Sequence, residues 1–378
     1  MGNRIGIGII GCGNISSAYF RLAPFFNNIK IVSCADIKPE IAKSKGAEFG
    51  VKSQNLFSLL NSRDIEIILN LTVPDAHFSV SKSILNSGKH LYSEKPFTLT
   101  LNEAIELKEL ANKNNLVVAG APDTFLGGSH QQVRAIIDNK DVGKITSGIC
   151  HIMSHGMEHW HPNPDFFYQP GGGPVFDLGP YYISNLINLI GPVKRVMAFS
   201  SMPQKERKIL SEEHFGEKII VGTPTTIHSV MEFLNGAIIT MISSWDVWGD
   251  GQTSMELYGN EGSIKVPDSN SFFGEIEILK KEGEFEKVSS WDHPFNHLNE
   301  ELDSGWTANY RSAGLSDLAF SIQKKITPRC NIEILTHTVE IMVSILDSSK
   351  EGRAISLKTT CERPKPLNSE DARLMLKK

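Results

Sequence analysis

Lys95, in the tripeptide Glu94-Lys95-Pro96, is the residue around which chemistry can be organised. It follows the apolar stretch His90-Leu91-Tyr92, itself preceded by a helical pattern closed at Gly88. That context puts Lys95 at the C-terminal end of a parallel strand, where open α/β sheets bind ligands. Pro96 cannot continue a central strand, so the chain turns away there. Farther along, Gly171-Gly172-Gly173-Pro174 reads as a loop opening a helix over Val175 to Leu189. Proline suits a first helical turn. Asp177 and Tyr181 are four positions apart on that helix and share one face. A tyrosine hydroxyl has a pKa of about 10, which a nearby ammonium and a helix dipole both lower. Two assignments of a proton carrier follow. In one it is Tyr181, with Lys95 lowering its pKa and holding its hydroxyl while Asp177 orients a ligand. In the other it is Lys95 or Asp177, and Tyr181 only lines the pocket.

The elements that must position these groups begin with Ile5-Gly6-Ile7-Gly8-Ile9-Ile10, an apolar run with β-branched residues that reads as a buried parallel strand. Gly11-Cys12-Gly13-Asn14-Ile15-Ser16 then opens a helical stretch through Leu22. Gly11 permits the tight turn, and Gly13 lets the backbone approach a pyrophosphate at the helix start. Ser16 stands where a third glycine is usual and is small enough for helix to pack on strand. A second strand, Lys30 to Ala35, ends at Asp36. An acid there accepts hydrogen bonds from an adenosine ribose and repels a 2′-phosphate. The expected cofactor is therefore NAD rather than NADP, a preference that Lys38 moderates.

Strands and helices go on alternating. Strands are expected near Val51, over Ile65 to Leu71, at Tyr92 and over Leu116 to Gly120, with helices at Ile41 to Phe49, Leu56 to Asn61, Phe78 to Asn86 and Leu101 to Asn114. Such alternation implies a parallel sheet covered on both faces, here an α/β unit over residues 1–122. After Pro122 the pattern changes. Strand-like segments over Ile145 to Met153, Val193 to Phe199, Thr225 to Phe233, Ala237 to Ser244, Ser254 to Tyr258 and Ser263 to Val266 are joined by short turns. Asn235-Gly236 is a strong hairpin signal. Residues 123–378 read as an α+β unit built on a large, open, mainly antiparallel sheet. A sheet of that kind needs cover on its second face, so a homo-oligomer, dimer or tetramer, is expected to pack sheet against sheet.

His151, His155, His159 and His161 cluster beside Cys150. Four imidazoles can hold zinc, but Gly156 and Pro162 break helical spacing, and no metal is expected. Trp160 reads either as a stacking surface for a ligand ring or as a packed interface residue. Arg311 either reaches the pocket or forms a surface ion pair.

The bulk numbers agree with such a reading. Of 378 residues, 40% are hydrophobic and 21% charged, with a net charge of −5. No long block of like charge appears, which argues against nucleic acid or an anionic membrane as partner. No apolar run is long enough for a transmembrane helix, and no signal peptide is evident. Five scattered cysteines fit free thiols in a reducing cytoplasm.

Taken together, these motifs resemble the Gfo/Idh/MocA family of sugar and inositol oxidoreductases. The residues that carry the resemblance are Gly11 to Ile15, Asp36, Thr72-Val73-Pro74 with His77, Glu94-Lys95-Pro96, and Gly171 to Gly173 followed by Asp177 and Gly179. It covers about residues 5 to 350. The resemblance implies cofactor contacts at Gly11, Gly13, Asn14, Ile15, Asp36, Thr72, Pro74, His77, Glu94 and Lys95. It implies a sugar or polyol pocket bordered by Lys95, His155, Trp160, His161, Asp177 and Tyr181. The family usually carries a histidine where this chain has Tyr181, which leaves the proton carrier open. The leading expectation is an NAD-dependent oxidoreductase that transfers hydride to or from a secondary hydroxyl or keto carbon. The alternatives are a glycosidase that recycles its NAD and a non-catalytic, NAD-bound regulator, against which the retained Lys95 and Asp177 speak.

Overall fold

The computed structural model describes residues 4–249, 251, 253–302 and 305–377. The first three residues of the expected 1–122 unit and the last residue of 123–378 lie outside that set. Six strands form the first sheet: β1 (Ile5–Ile10), β2 (Ile29–Ala35), β3 (Lys52–Ser53), β4 (Ile67–Asn70), β5 (His90–Ser93) and β6 (Val118–Gly120). Their order is β3-β2-β1-β4-β5-β6, and every pairing is parallel. The chain works outward from β1 to β3, then restarts on the other side at β4. The reversal leaves a crevice at the C-terminal ends of β1 and β4, the place where such sheets take ligands. All residues of β1 and β4 are buried, as β-branched runs covered on both faces should be. Local signals fix the covering helices. Pro74 starts Pro74–Asn86, and a Thr100/Glu103 capping box starts Leu101–Lys113.

The second sheet draws on β7 (Ile145–Met153), β8 (Val193–Ser201), β11 (Thr226–Phe233), β12 (Ile238–Ser244), β13 (Met255–Gly259), β14 (Gly262–Val266), β15 (Glu277–Lys280), β16 (Glu286–Lys287) and β19 (Ile355–Ser356). Between them lie two small pairs, β9 (Glu206–Lys208) with β10 (Lys218–Ile220), and β17 (Glu300–Leu302) with β18 (Gly305–Thr307). The large sheet runs β16-β15-β14-β13-β7-β12-β11-β8-β19. It is mainly antiparallel, as the sequence suggested, and Gly236, at φ 91°, sits in the turn of the β11–β12 hairpin. The exception is β7 with β12, which pair in parallel. The connection from β7 to β8 is a crossover containing helix Gly179–Ile190, so β7 and β8 point the same way, and β12 inherits that direction through β11.

Helices Gly179–Ile190 and Ile332–Glu351 cover one face of this sheet, burying Cys150, Ile152, Val196, Ala198, Met231 and Met241. On the other face Met197, Val230, Ile238 and Phe199 stay exposed, the last at 69%.

The single helix expected over Val175 to Leu189 is two helices, Gly173–Asp177 and Gly179–Ile190, hinged at Leu178. Pro180 is the cause. It has no N–H to donate to the preceding turn, and the Tyr181 N–H bonds the Leu178 carbonyl at 3.1 Å instead of that of Asp177.

Residues beyond 122 return to the first sheet. The Cys330 carbonyl takes the Gly120 N–H at 3.1 Å on edge strand β6, and Leu367, Ala372 and Met375 join the core around β1. The Asn27 amide donates to the carbonyls of Leu374 and Leu376, each at 2.9 Å. Arg329 fastens this return. Its guanidinium meets Asp317 at 2.5 Å and Asp371 at 2.7 Å, and Asp317 has no exposed side-chain surface. Removing one partner of a buried pair strands the other charge, so Arg329→Ala is expected to lower the unfolding free energy by about 3–5 kcal/mol, read from urea denaturation midpoints.

Candidate active site

The crevice at the ends of β1 and β4 opens into a cavity of about 630 Å³. On the first-sheet side it is lined by Asn14, Ile15, Thr72, Pro74, His77, Glu94, Lys95 and Pro96. On the opposite side it is lined chiefly by the 154–172 segment, Phe176 to Leu178, Tyr181, Asn270 and Arg311. Strand β5 ends at Ser93, so Glu94 and Lys95 are delivered straight into it.

Lys95 spans the cavity. Its Nζ donates to the Asp177 carboxylate at 2.6 Å and to the Asp177 carbonyl at 2.8 Å. That carbonyl is available because the break at Leu178 releases it from its helical partner. Burial opposes the Lys95 charge, but the Asp177 carboxylate and Tyr181 outweigh it and hold the ammonium above the usual lysine range. The expected hydrogen bond from Lys95 to the Tyr181 hydroxyl is not formed. With two donors committed to Asp177, Nζ lies over the tyrosine ring, 5.5 Å from its centroid.

A second pair lies alongside. The Glu94 carboxylate accepts from the Tyr19 hydroxyl at 2.8 Å, the Lys95 N–H at 2.8 Å and Arg311 at 3.2 Å. Arg311 is therefore a cavity residue and not a surface one. Asp123, buried behind it, accepts the N–H groups of Ser312 and Gly314 and fixes the loop that carries Arg311. Burial disfavours the Arg311 charge, yet Tyr181 and Glu94 keep its pKa well above the ordinary value. Lys95 and Arg311 thus both stand within electrostatic reach of the Tyr181 oxygen.

The glycine turn has the shape a dinucleotide requires. Gly11, at φ 95°, is pressed against strand β4's exit, where an added Cβ would lie 2.6 Å from the Leu71 carbonyl carbon. At Gly13 an added Cβ would meet no protein atom within 4 Å, so the space above the turn is open to a ligand. Ser16 is fully buried and its hydroxyl donates to the Gly13 carbonyl at 2.6 Å, packing the helix close. Asp36 accepts the Cys12 N–H at 2.8 Å and the Lys38 N–H at 2.9 Å, which sets its carboxylate beside the turn but outside the cavity lining. His77 is buried with Nδ1 2.6 Å from the Pro96 carbonyl and Nε2 2.9 Å from that of Thr72; burial lowers its pKa, against the two carbonyls, and the neutral ring donates to one of them.

The histidine cluster disperses. His151 lies on β7 with Nδ1 at the Thr253 carbonyl. His159 and His161 line the cavity, as does Trp160. His155 does not, which corrects its expected place. Arg207 takes the His155 carbonyl at 3.1 Å, and the His155 ring stacks on Trp248 instead. Arg207 itself is buried between Glu158 (2.7 Å) and Asp246 (2.5 Å) and pins the loop. Phe166, Phe167, Phe176 and Asn270 complete the cavity without any motif in the sequence to announce them. Among the described residues, no group of three or more His, Cys, Asp or Glu side chains is arranged to hold a metal.

A parallel sheet with a glycine turn at its switch point, joined to a mixed-sheet unit across one cavity, defines a two-unit protein of the NAD(P)-binding Rossmann class. Residues 5–121 match the profile described as "Oxidoreductase family, NAD-binding Rossmann fold", and residues 130–265 match "GFO/IDH/MocA C-terminal domain". The chain belongs to the Gfo/Idh/MocA family. An uncharacterized oxidoreductase of Schizosaccharomyces pombe is 27% identical over 57% of this chain and 60% of its own length. Inositol 2-dehydrogenase of Salmonella typhimurium is 26% identical over 40% of this chain and 45% of its own length. The matches to these two relatives thus span less than two thirds of their lengths. Among solved structures, levoglucosan dehydrogenase in complex with NADH and L-sorbose has the same fold, with a TM-score of 0.81 and 18% identity, covering 95% of this chain and 100% of that one. So does aldose-aldose oxidoreductase from Caulobacter crescentus, with a TM-score of 0.75 and 18% identity, covering 94% and 100%.

The two glycines should separate folding from binding. Gly11→Ala forces a strained backbone and is expected to cost about 1–3 kcal/mol of stability. Gly13→Ala should stay within about 0.5 kcal/mol of the parent while weakening NADH at least tenfold, as read by melting curves and by NADH fluorescence titration.

Proposed function

We propose that the protein is an NAD-dependent dehydrogenase or reductase acting on a secondary hydroxyl or keto carbon of a sugar, sugar derivative or cyclic polyol. The observation that carries this reading is the meeting of Lys95 with Asp177 beneath Tyr181, in the cavity that begins at the glycine turn. The names of the inositol and levoglucosan dehydrogenases among its relatives and structural neighbours support the substrate class.

Residues 1–122 serve as the cofactor unit and 123–378 as the substrate and assembly unit. Gly11, Gly13, Asn14 and Ile15 hold the pyrophosphate end of the dinucleotide, and Asp36 holds the ribose and favours NAD over NADP by its charge. Thr72, Pro74, Glu94 and Lys95 line the nicotinamide end, with His77 bracing them. When bound, the dinucleotide supplies a hydride acceptor or donor.

Lys95 has three N–H donors, and Asp177 takes two. The third is directed to the substrate oxygen. In this reading Lys95, fixed by its two bonds to Asp177, orients the reacting hydroxyl. Tyr181 carries the proton, with Lys95 and Arg311 stabilising charge on its oxygen. Asp177 orients the substrate, and Trp160 and His161 contact it from the far wall.

The exposed apolar face of the large sheet supports self-association as a dimer or tetramer, and five unpaired cysteines suit a reducing cytoplasm. No described helix is long and apolar enough to cross a membrane. Sedimentation at micromolar concentration is expected to show an oligomer; a monomer would sink the assembly proposal.

The activity test is NADH or NADPH formation with a panel of inositols, aldoses and glycosides. Tyr181→Phe should lower kcat by at least about a hundredfold with NADH affinity retained, and near-normal turnover would remove Tyr181 from the proton role. Release of a free sugar from glycosides without net NADH would favour an NAD-recycling glycosidase.

A further inference from the structure

We infer that the cavity carries a second subsite outward of Lys95, shaped for a neutral ring joined to the reacting sugar, so that the preferred substrate is a glycoside or disaccharide and not a free monosaccharide. This rests on the dehydrogenase reading for the position of the reacting ring. His161 gives the direction. It lines the same cavity as Asp177 and Tyr181. Its ring also contacts Trp160 (5.3 Å between centroids), Phe167 (5.0 Å) and Phe166 (5.6 Å). From the reacting carbon outward, the wall therefore runs from Asp177 to His161 and then to an aromatic rim.

Two of the rim residues are strongly exposed although they line the cavity, Trp160 at 55% and Phe166 at 47%. Large apolar side chains left open at a cavity mouth mark a ligand surface. The rim is also held still. Arg207 donates to Glu158 at 2.7 Å and to the His155 carbonyl at 3.1 Å beneath it. The Met157 N–H donates to the Tyr168 hydroxyl at 3.1 Å, and that hydroxyl in turn bonds Glu158. A pre-organised surface binds without an ordering cost.

The chemistry of the occupant follows from the lining. Between Gly156 and Phe176 the cavity wall carries no carboxylate, ammonium or guanidinium group. The Asn163 N–H donates to Nδ1 of His161 at 3.1 Å, so in the neutral ring Nε2 carries the proton and is a donor. Burial lowers the pKa of His161 and favours that neutral form. A uronate or phosphosugar finds no counter-charge here. A ring with an apolar face and a hydroxyl or glycosidic oxygen finds stacking partners and a donor.

The test is calorimetric titration of the NADH-saturated protein with D-glucose, methyl β-D-glucoside, phenyl β-D-glucoside and cellobiose, repeated with the galactose series. The phenyl glycoside or the disaccharide should bind at least tenfold more tightly than the methyl glycoside. Trp160→Ala and Phe166→Ala should each remove most of that gain, and Trp160→Phe should keep it. A gain with cellobiose alone identifies a second sugar; a gain with the phenyl glycoside alone identifies an aromatic aglycone; both support the subsite. Equal affinity for methyl and larger glycosides overturns it, as does binding of none of them. A Trp160→Ala variant with altered sedimentation and unchanged affinities overturns it in favour of a contact between copies. NADH formation from NAD is followed with the same compounds. A tenfold gain in binding without turnover keeps the subsite and sinks the dehydrogenase reading.

Discussion

The contact between Lys95 and Asp177 is the constraint on which the rest of the cavity depends. It joins the end of a strand in one sheet to a helix that packs on the other. A lysine anchored only to a carboxylate would keep much of its rotational freedom. Here the ammonium also takes a main-chain carbonyl, which fixes its direction. That carbonyl exists as an acceptor only because Pro180 interrupts the helix and Tyr181 bonds elsewhere. One proline therefore converts an ordinary helical turn into an ammonium socket. The same interruption offsets Tyr181 from Asp177, so that the tyrosine ring, and not its hydroxyl, faces Lys95.

The cavity is electrically balanced by pairs. Lys95 faces Asp177, and Arg311 faces Glu94, so two cations and two anions are enclosed with no net excess. Each pair gains because burial strengthens charge-assisted hydrogen bonds, and each would be costly if split. Glu94 is the more crowded member, with a tyrosine hydroxyl, its neighbour's N–H and a guanidinium all directed at it. That crowding sets the rigid edge against which Lys95 is aimed. A neutral, pre-paired enclosure suits an uncharged polyhydroxy ligand, which brings hydrogen bonds but no ion to be compensated.

Much of this was legible in the sequence, and the failures have physical causes. The strand from Ile5 to Ile10, the turn at Gly11 and Gly13, and the hairpin at Asn235-Gly236 are local features, and each appears where the residues placed it. The parallel pairing of β7 with β12 was not legible, because it follows from the crossover between β7 and β8 and from no residue in either paired strand. The continuous helix over Val175 to Leu189 failed at Pro180, whose missing N–H outweighed a good apolar pattern. His155 looked like its neighbours His159 and His161, yet Gly156 turns the chain at φ 90° and the ring goes to Trp248. Arg311 reaches Glu94 across 217 positions, and Arg207 reaches Glu158 across 49. No spacing rule finds such partners, because the fold creates their proximity.

The return of residues 365–376 to the core around β1 has a bearing on how the chain is made. The Asn27 side chain waits for carbonyls 347 and 349 positions downstream. At 5–20 residues per second, a ribosome needs on the order of tens of seconds to supply them. Throughout that interval the β1 end of the first sheet lacks Leu367, Ala372 and Met375, and its apolar surface stays open. The dinucleotide-binding half, although encoded first, is therefore completed last. On the ribosome, that flank stays uncovered until the end of the chain emerges.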